Sequence, residues 1–178
     1  MHFVVLLLAG LLPGLSDAAA PHVRPDAADL RAMISDARDQ STTFRALIDR
    51  IERSDLIVYV RAQHFSTSRL EGRIGFVHGA TGGQGPRMLL IELACPRTVA
   101  AQTVTLAHEL HHATEIADAP WVRDTETLGA YYQQIGEEGL ALGEGIAFET
   151  LAARGTAARV GREISDFRLQ ASDLRRGR

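Results

Sequence analysis

The sequence predicts an α+β fold: a small sheet of about three strands, then one long helix, then C-terminal helices. Three observations carry this. Three β-rich runs fall within residues 55–94. Helical periodicity flanks them on both sides. There is no internal repeat and no sign of a second domain, so residues 21–178 read as a single domain, long enough for a real core.

Residues 1–20 read as an export signal. Residues 1–12 are almost wholly apolar, Pro13 and Gly14 break the run, and small residues follow. Cleavage after Ala18 is preferred to cleavage after Ala20, because Pro21 follows the second site. The apolar run is short for a membrane span. The amino end carries no Lys or Arg, which keeps an uncleaved anchor as the alternative.

Residues 19–25 read as a loose linker. Asp26 can cap a helix to about residue 38, with Leu30 and Ile34 as its apolar stripe. Ser41 and Thr42 cap a second helix carrying Phe44, Leu47, Ile48 and Ile51. The three strands are residues 55–61, 73–78 and 87–94. The Gly-rich stretch 79–86 between the last two lacks a Gly-Lys-Ser/Thr ending and reads as a hairpin loop, not a phosphate loop. His64 and His78 read as ordinary sheet residues. Thr98 opens the long helix and Pro120 stops it. Asp124 or Thr125 starts another, interrupted at residues 136–139, and a last helix is expected over residues 143–164. The Arg-rich end, residues 175–178, reads as a frayed tail.

Composition narrows the partners. The net charge is −3, so no basic surface invites nucleic acid. All 19 basic residues are Arg, and neither Lys nor Asn occurs, as expected of a GC-rich, bacterial genome. Cys95 is the single cysteine, so no internal disulfide can form. An exported protein without disulfides fits a bacterial periplasm or the cell exterior.

The long helix carries the chemistry. His108-Glu109-Leu110-His111-His112 spells H-E-x-x-H. Residues four apart lie on one helix face, one turn apart, so His108 and His112 can grip one Zn²⁺ while Glu109 reaches an adjacent water. A shuffled chain of this composition would hold roughly 0.02 such matches. At 100° per residue, Val99, Leu106, Leu110, Ala113 and Ala117 lie opposite His108. Thr105, Glu109, His112, Glu115 and Ile116 share its side. The helix is therefore expected to have an apolar back against a core and a polar front facing a cleft.

A strand, a short connection, a helix bearing this motif and later helices with another acid resemble the zincin metallopeptidases in their gluzincin-like form. The likeness is strong at residues 108–112 and coarse over residues 55–165. Residues 148–153, with Gly155 and Val160, are also similar to small exported members of that group. The resemblance implies that the sheet borders the cleft and His108 and His112 bind Zn²⁺. It also implies that Glu109 activates water as the catalytic base and that a downstream residue completes the metal site.

Glu149 is the first choice for that ligand. On a helix its neighbours would be Gly145, Ile146, Ala152 and Ala153, and a carboxylate on an apolar face must be paired or metal-bound. Glu144 has equally apolar neighbours and stays a rival. Asp118 is a third candidate, at a metzincin-like spacing that would need Gly where Glu115 stands. Glu115 itself can hold a ligand histidine in its tautomer. Tyr131 and Tyr132 read as core or surface residues, with donation to a developing oxyanion as the alternative. His111 sits off the ligand spacing.

The expected protein is an exported zinc-dependent hydrolase, a peptidase acting on a peptide or protein, with no stable membrane insertion once the signal is removed. The alternative is a non-catalytic binding or regulatory module whose zinc is structural, closed by Glu115 or Asp118. Substrate and oligomeric state stay open.

Overall fold

Alternating burial along the two central strands builds the sheet. Leu56, Val58 and Val60 on one strand and Leu89, Ile91 and Leu93 on another have no exposure, while Ile57, Tyr59, Met88 and Leu90 between them are half-buried. Successive side chains point to opposite faces, so one face of the sheet carries the core. The computed structural model describes residues 20–67, 69–77, 85–142 and 145–176. The expected signal segment, His78, most of the Gly-rich loop and Glu144 lie outside them.

The sheet has four strands where about three were expected: β1 (Val23–Pro25), β2 (Leu56–Gln63), β3 (Gly72–Phe76) and β4 (Arg87–Ala94), in the order β1-β2-β4-β3. β1, β2 and β4 are parallel, and β3 lies antiparallel on the β4 edge. The added strand is β1, expected as linker. Three residues are too few to show alternation, and Pro25 is tolerated because the strand sits at an edge.

Helices α1 (Ala28–Gln40) and α2 (Thr42–Glu52) form the crossover from β1 to β2. Asp26 does not cap α1: its N–H donates to Val60 O, extending the β1–β2 ladder, and α1 starts at Ala27 without a side-chain cap. Ser41 does cap α2, accepting the Phe44 N–H at 2.9 Å. Glu163, from the last helix, takes hydrogen bonds from the Ser41 and Thr43 hydroxyls and the Thr43 N–H.

Helix α3 (Val99–Asp118) carries the motif and packs against both the sheet and the last helix. Thr98 caps its start. Its end is held by Arg87, only 3 % exposed, whose guanidinium donates to the carbonyls of Ile116, Ala119 and Val122 and forks onto the Asp55 carboxylate. α4 (Thr125–Ile135) follows, capped by Asp124.

The next segment departs from expectation. A hairpin of β5 (Glu137–Leu142) and β6 (Gly145–Glu149) precedes α5 (Leu151–Arg176), where one helix was predicted from residue 143. Four glycines within residues 136–145 disfavour a helix there. Thr150 then caps the true start, accepting the Ala153 N–H. α5 also runs on to Arg176, so Arg175 and Arg176 end a helix, where cations are favourable, instead of fraying. No helix among the described residues is long and apolar enough to cross a membrane.

On the outer sheet face Glu92, 4 % exposed, lies opposite Arg61 on β2 and Arg73 on β3 and is paired with both. Burial alone would raise its pKa, but the two guanidinium hydrogen bonds outweigh it and hold the carboxyl low. Asp55 is likewise held low, first by its hydrogen bond with Arg87. Both groups bind a proton less readily in the fold than in the unfolded chain. Their stabilisation is therefore full above about pH 5 and is lost as pH falls through the folded values. Urea midpoints should drop between about pH 6 and about pH 3, and Glu92→Gln should flatten that slope. An unchanged slope in the variant would remove Glu92 from the account.

Candidate metal centre

The motif helix is more enclosed than an amphipathic reading suggests. Leu106, Leu110 and Ala113 are fully buried on its back, as expected, whereas Val99 is 58 % exposed because it stands in the first turn, beyond the core. The front is not an open polar face. Ile116, Glu109 and His112 are buried there too, under β3, α4 and the start of α5. The side left partly open is that of His108 and Glu149, with side-chain exposures of 15 % and 36 %.

Three ligand-type atoms converge at that opening. His108 Nε2 lies 3.0 Å from Glu149 Oε1 and 3.1 Å from His112 Nε2. One atom from each of the three residues falls within 4.8 Å of the others. Glu149 reaches this position from the end of β6, not from a helix face, so its predicted helical neighbours do not explain it. The chain brings it there because Thr150, the next residue, is tied to α3. Asp118 is elsewhere: its side chain is 58 % exposed and ion-paired with Arg50.

The donor chemistry fits a cation. Glu115 Oε2 accepts from His112 Nδ1 at 2.7 Å, which puts the ring hydrogen on Nδ1 and leaves a lone pair on Nε2. With His108 neutral, the His112 lone pair and the Glu149 carboxylate then share at most one hydrogen, on His108 Nε2. A divalent ion at their midpoint would serve all three atoms at once, and two imidazoles with one carboxylate are an ordinary zinc set. Burial alone would lower the His108 pKa. The hydrogen bond to Glu149 and the charges of Glu109, Glu149 and Glu115 outweigh burial and raise it, while the same His108 contact holds Glu149 low.

Glu109 lies beside this cluster and is 6 % exposed. Burial pushes its carboxyl above the ordinary range, against the pull of His112 and His108. β3 covers it closely. A Cβ on Gly72 would stand 2.8 Å from Glu109 Oε1 and 2.6 Å from the Thr105 methyl, so only glycine lets the strand pass here. No pattern in the sequence marks Gly72 for that task.

Glu115 is the best-connected carboxylate in the site. Besides His112 it accepts from the Thr150 hydroxyl at 2.8 Å and the Tyr132 hydroxyl at 3.2 Å, with His111 Nε2 at 3.5 Å. Burial would raise its pKa, but these hydrogen bonds prevail and hold it far below the usual range. Tyr131 donates to the Glu115 backbone carbonyl at 3.2 Å. Both tyrosine hydroxyls thus hydrogen-bond Glu115. Thr150 went unread in the sequence, although a Thr before Leu-Ala-Ala is a usable N-cap signal. Comparison of the chain with protein-family models, curated proteins and solved structures finds no match.

Proposed function

We propose that the chain is an exported zinc-dependent hydrolase that cleaves peptide bonds. The observation that carries this is the convergence of His108, His112 and Glu149 beside a buried carboxylate, Glu109. A closed structural site needs a fourth protein ligand. Among the described residues the cluster has three members, Glu115 is engaged on the far nitrogen of His112, and Asp118 pairs with Arg50. That favours an open position over a structural zinc.

His108, His112 and Glu149 would hold the metal. Zn²⁺, when bound, polarises a carbonyl and lowers the pKa of water. Glu109, its own proton affinity raised by burial, takes the proton of the attacking water and returns it to the leaving amine. Glu115 keeps the His112 ring in the tautomer that presents Nε2.

Elemental analysis of purified protein should find zinc in the wild type and its loss in both His108→Ala and His112→Ala. The zinc-loaded wild type should cleave members of a peptide library. Equal, substoichiometric metal in all three proteins would overturn the reading, and metal uptake without cleavage would turn it towards a binding module.

A further inference from the structure

We infer that Glu115 is a positioning residue for two of the three metal ligands, and that Thr150 is the arm through which it reaches the second. This rests on the zinc reading above. The first link is direct: Glu115 Oε2 fixes the His112 ring through Nδ1. The second runs through the chain. Glu115 Oε1 accepts the Thr150 hydroxyl at 2.8 Å, and Thr150 is covalently next to Glu149. Thr150 is 5 % exposed, and its oxygen also accepts the Ala153 N–H, so one hydroxyl joins the strand end, the α5 cap and α3. Glu149 also meets α3 directly at His108, 3.0 Å away, and the Thr150–Glu115 bond anchors it to the same helix through the neighbouring residue.

Thr fits here because its single hydroxyl oxygen can both accept at an N-cap and donate to a carboxylate. Asp would cap as well but could not donate to Glu115, and Asn would have to accept through one atom and donate through another. The two oxygens of Glu115 thereby set the spacing between a ligand from the helix and a ligand from the hairpin. Metal uptake and the docking of α5 on α3 become one event.

A second bridge between the same helices gives the control. Thr156 Oγ1 meets His111 Nδ1 at 3.1 Å, also joining α5 to α3, but stands one step further from the ligands, since His111 touches Glu115 through its other nitrogen at 3.5 Å. Cobalt(II), whose visible absorption reports coordination number and ligand set, is the probe. In competition titrations against zinc and cobalt, Glu115→Gln and Thr150→Val should each weaken affinity by about 10- to 100-fold. Both should change the cobalt spectrum, Thr150→Ser should restore affinity and spectrum, and Thr156→Val should change both less than Thr150→Val does. If wild type takes up neither metal, the zinc reading itself fails. If wild type binds and Glu115→Gln and Thr150→Val match it, the zinc reading stands and the positioning role falls. If Thr156→Val shifts the spectrum as strongly as Thr150→Val, the effect is general helix docking and the role assigned to Thr150 is overturned.

Discussion

Glu109→Gln is expected to keep the metal and the fold while losing peptide hydrolysis by about 10² or more. The carboxylate is 6 % exposed, and burial raises its pKa. Glutamine has nearly the same shape but no charge and no proton to exchange. It therefore fits under Gly72 without a clash, and burying it costs less than burying the carboxylate. Thermal stability should hold or rise slightly. The three proposed ligand atoms come from other residues, so zinc content should stay at the wild-type level. Turnover of a cleaved peptide, zinc content and melting temperature, measured on the same preparation, check this. Unchanged turnover would remove Glu109 as the base. Lost zinc would instead make it a ligand.

Some of this site was legible in the sequence and some was not, for physical reasons. His108, Glu109 and His112 are legible because a helix repeats every 3.6 residues and their spacing needs no tertiary information. The third ligand position is different. Glu149 was preferred on the argument that it projects from an apolar helix face, yet it sits at a strand end. What brings it to His108 is the tie of Thr150 to Glu115, a contact across 35 residues that leaves no local pattern. The hairpin before it is hidden because its apolar residues also suit a helix: Gly136 and Gly139 pass for an interruption between helices, and Gly143 and Gly145 for the start of the last one. β2, β3 and β4 were found because β-branched and apolar runs bounded by turn residues mark strands. β1 was lost because three residues carry no period. The expected open cleft failed for a related reason. A helical wheel tells which residues share a side, not what later covers that side, and β3, α4 and α5 all return to cover it.

Arg87→Met is expected to destabilise the protein by about 3–5 kcal/mol, the cost of breaking a buried charge network by removing one partner. Arg87 opens a strand of otherwise mostly apolar residues and was read only as part of that run. Its guanidinium is nearly fully enclosed, and its five N–H groups are what the position uses. Two fork onto Asp55, at 2.6 and 2.9 Å. Nη1 serves Ile116, Ala119 and Val122 at 2.8, 3.0 and 3.0 Å. Those carbonyls sit at or just past the end of α3; Ile116 O and Ala119 O also take the N–H groups of Ala119 and Val122, so the guanidinium ties the turns after the helix together. Methionine fills the volume but removes every one of these bonds and leaves Asp55 without its fork. Lysine keeps the charge yet cannot hold the fork and the carbonyls together, so Arg87→Lys should fall between wild type and Met. Asp55→Asn should cost less than either, because its side chain is 43 % exposed and water can replace the lost charge. Urea unfolding of the four metal-free proteins gives the order directly. For a domain of this size the Met variant should melt roughly 6–20 °C lower. A loss below about 1 kcal/mol would mean that water reaches the end of α3 and satisfies it without the arginine.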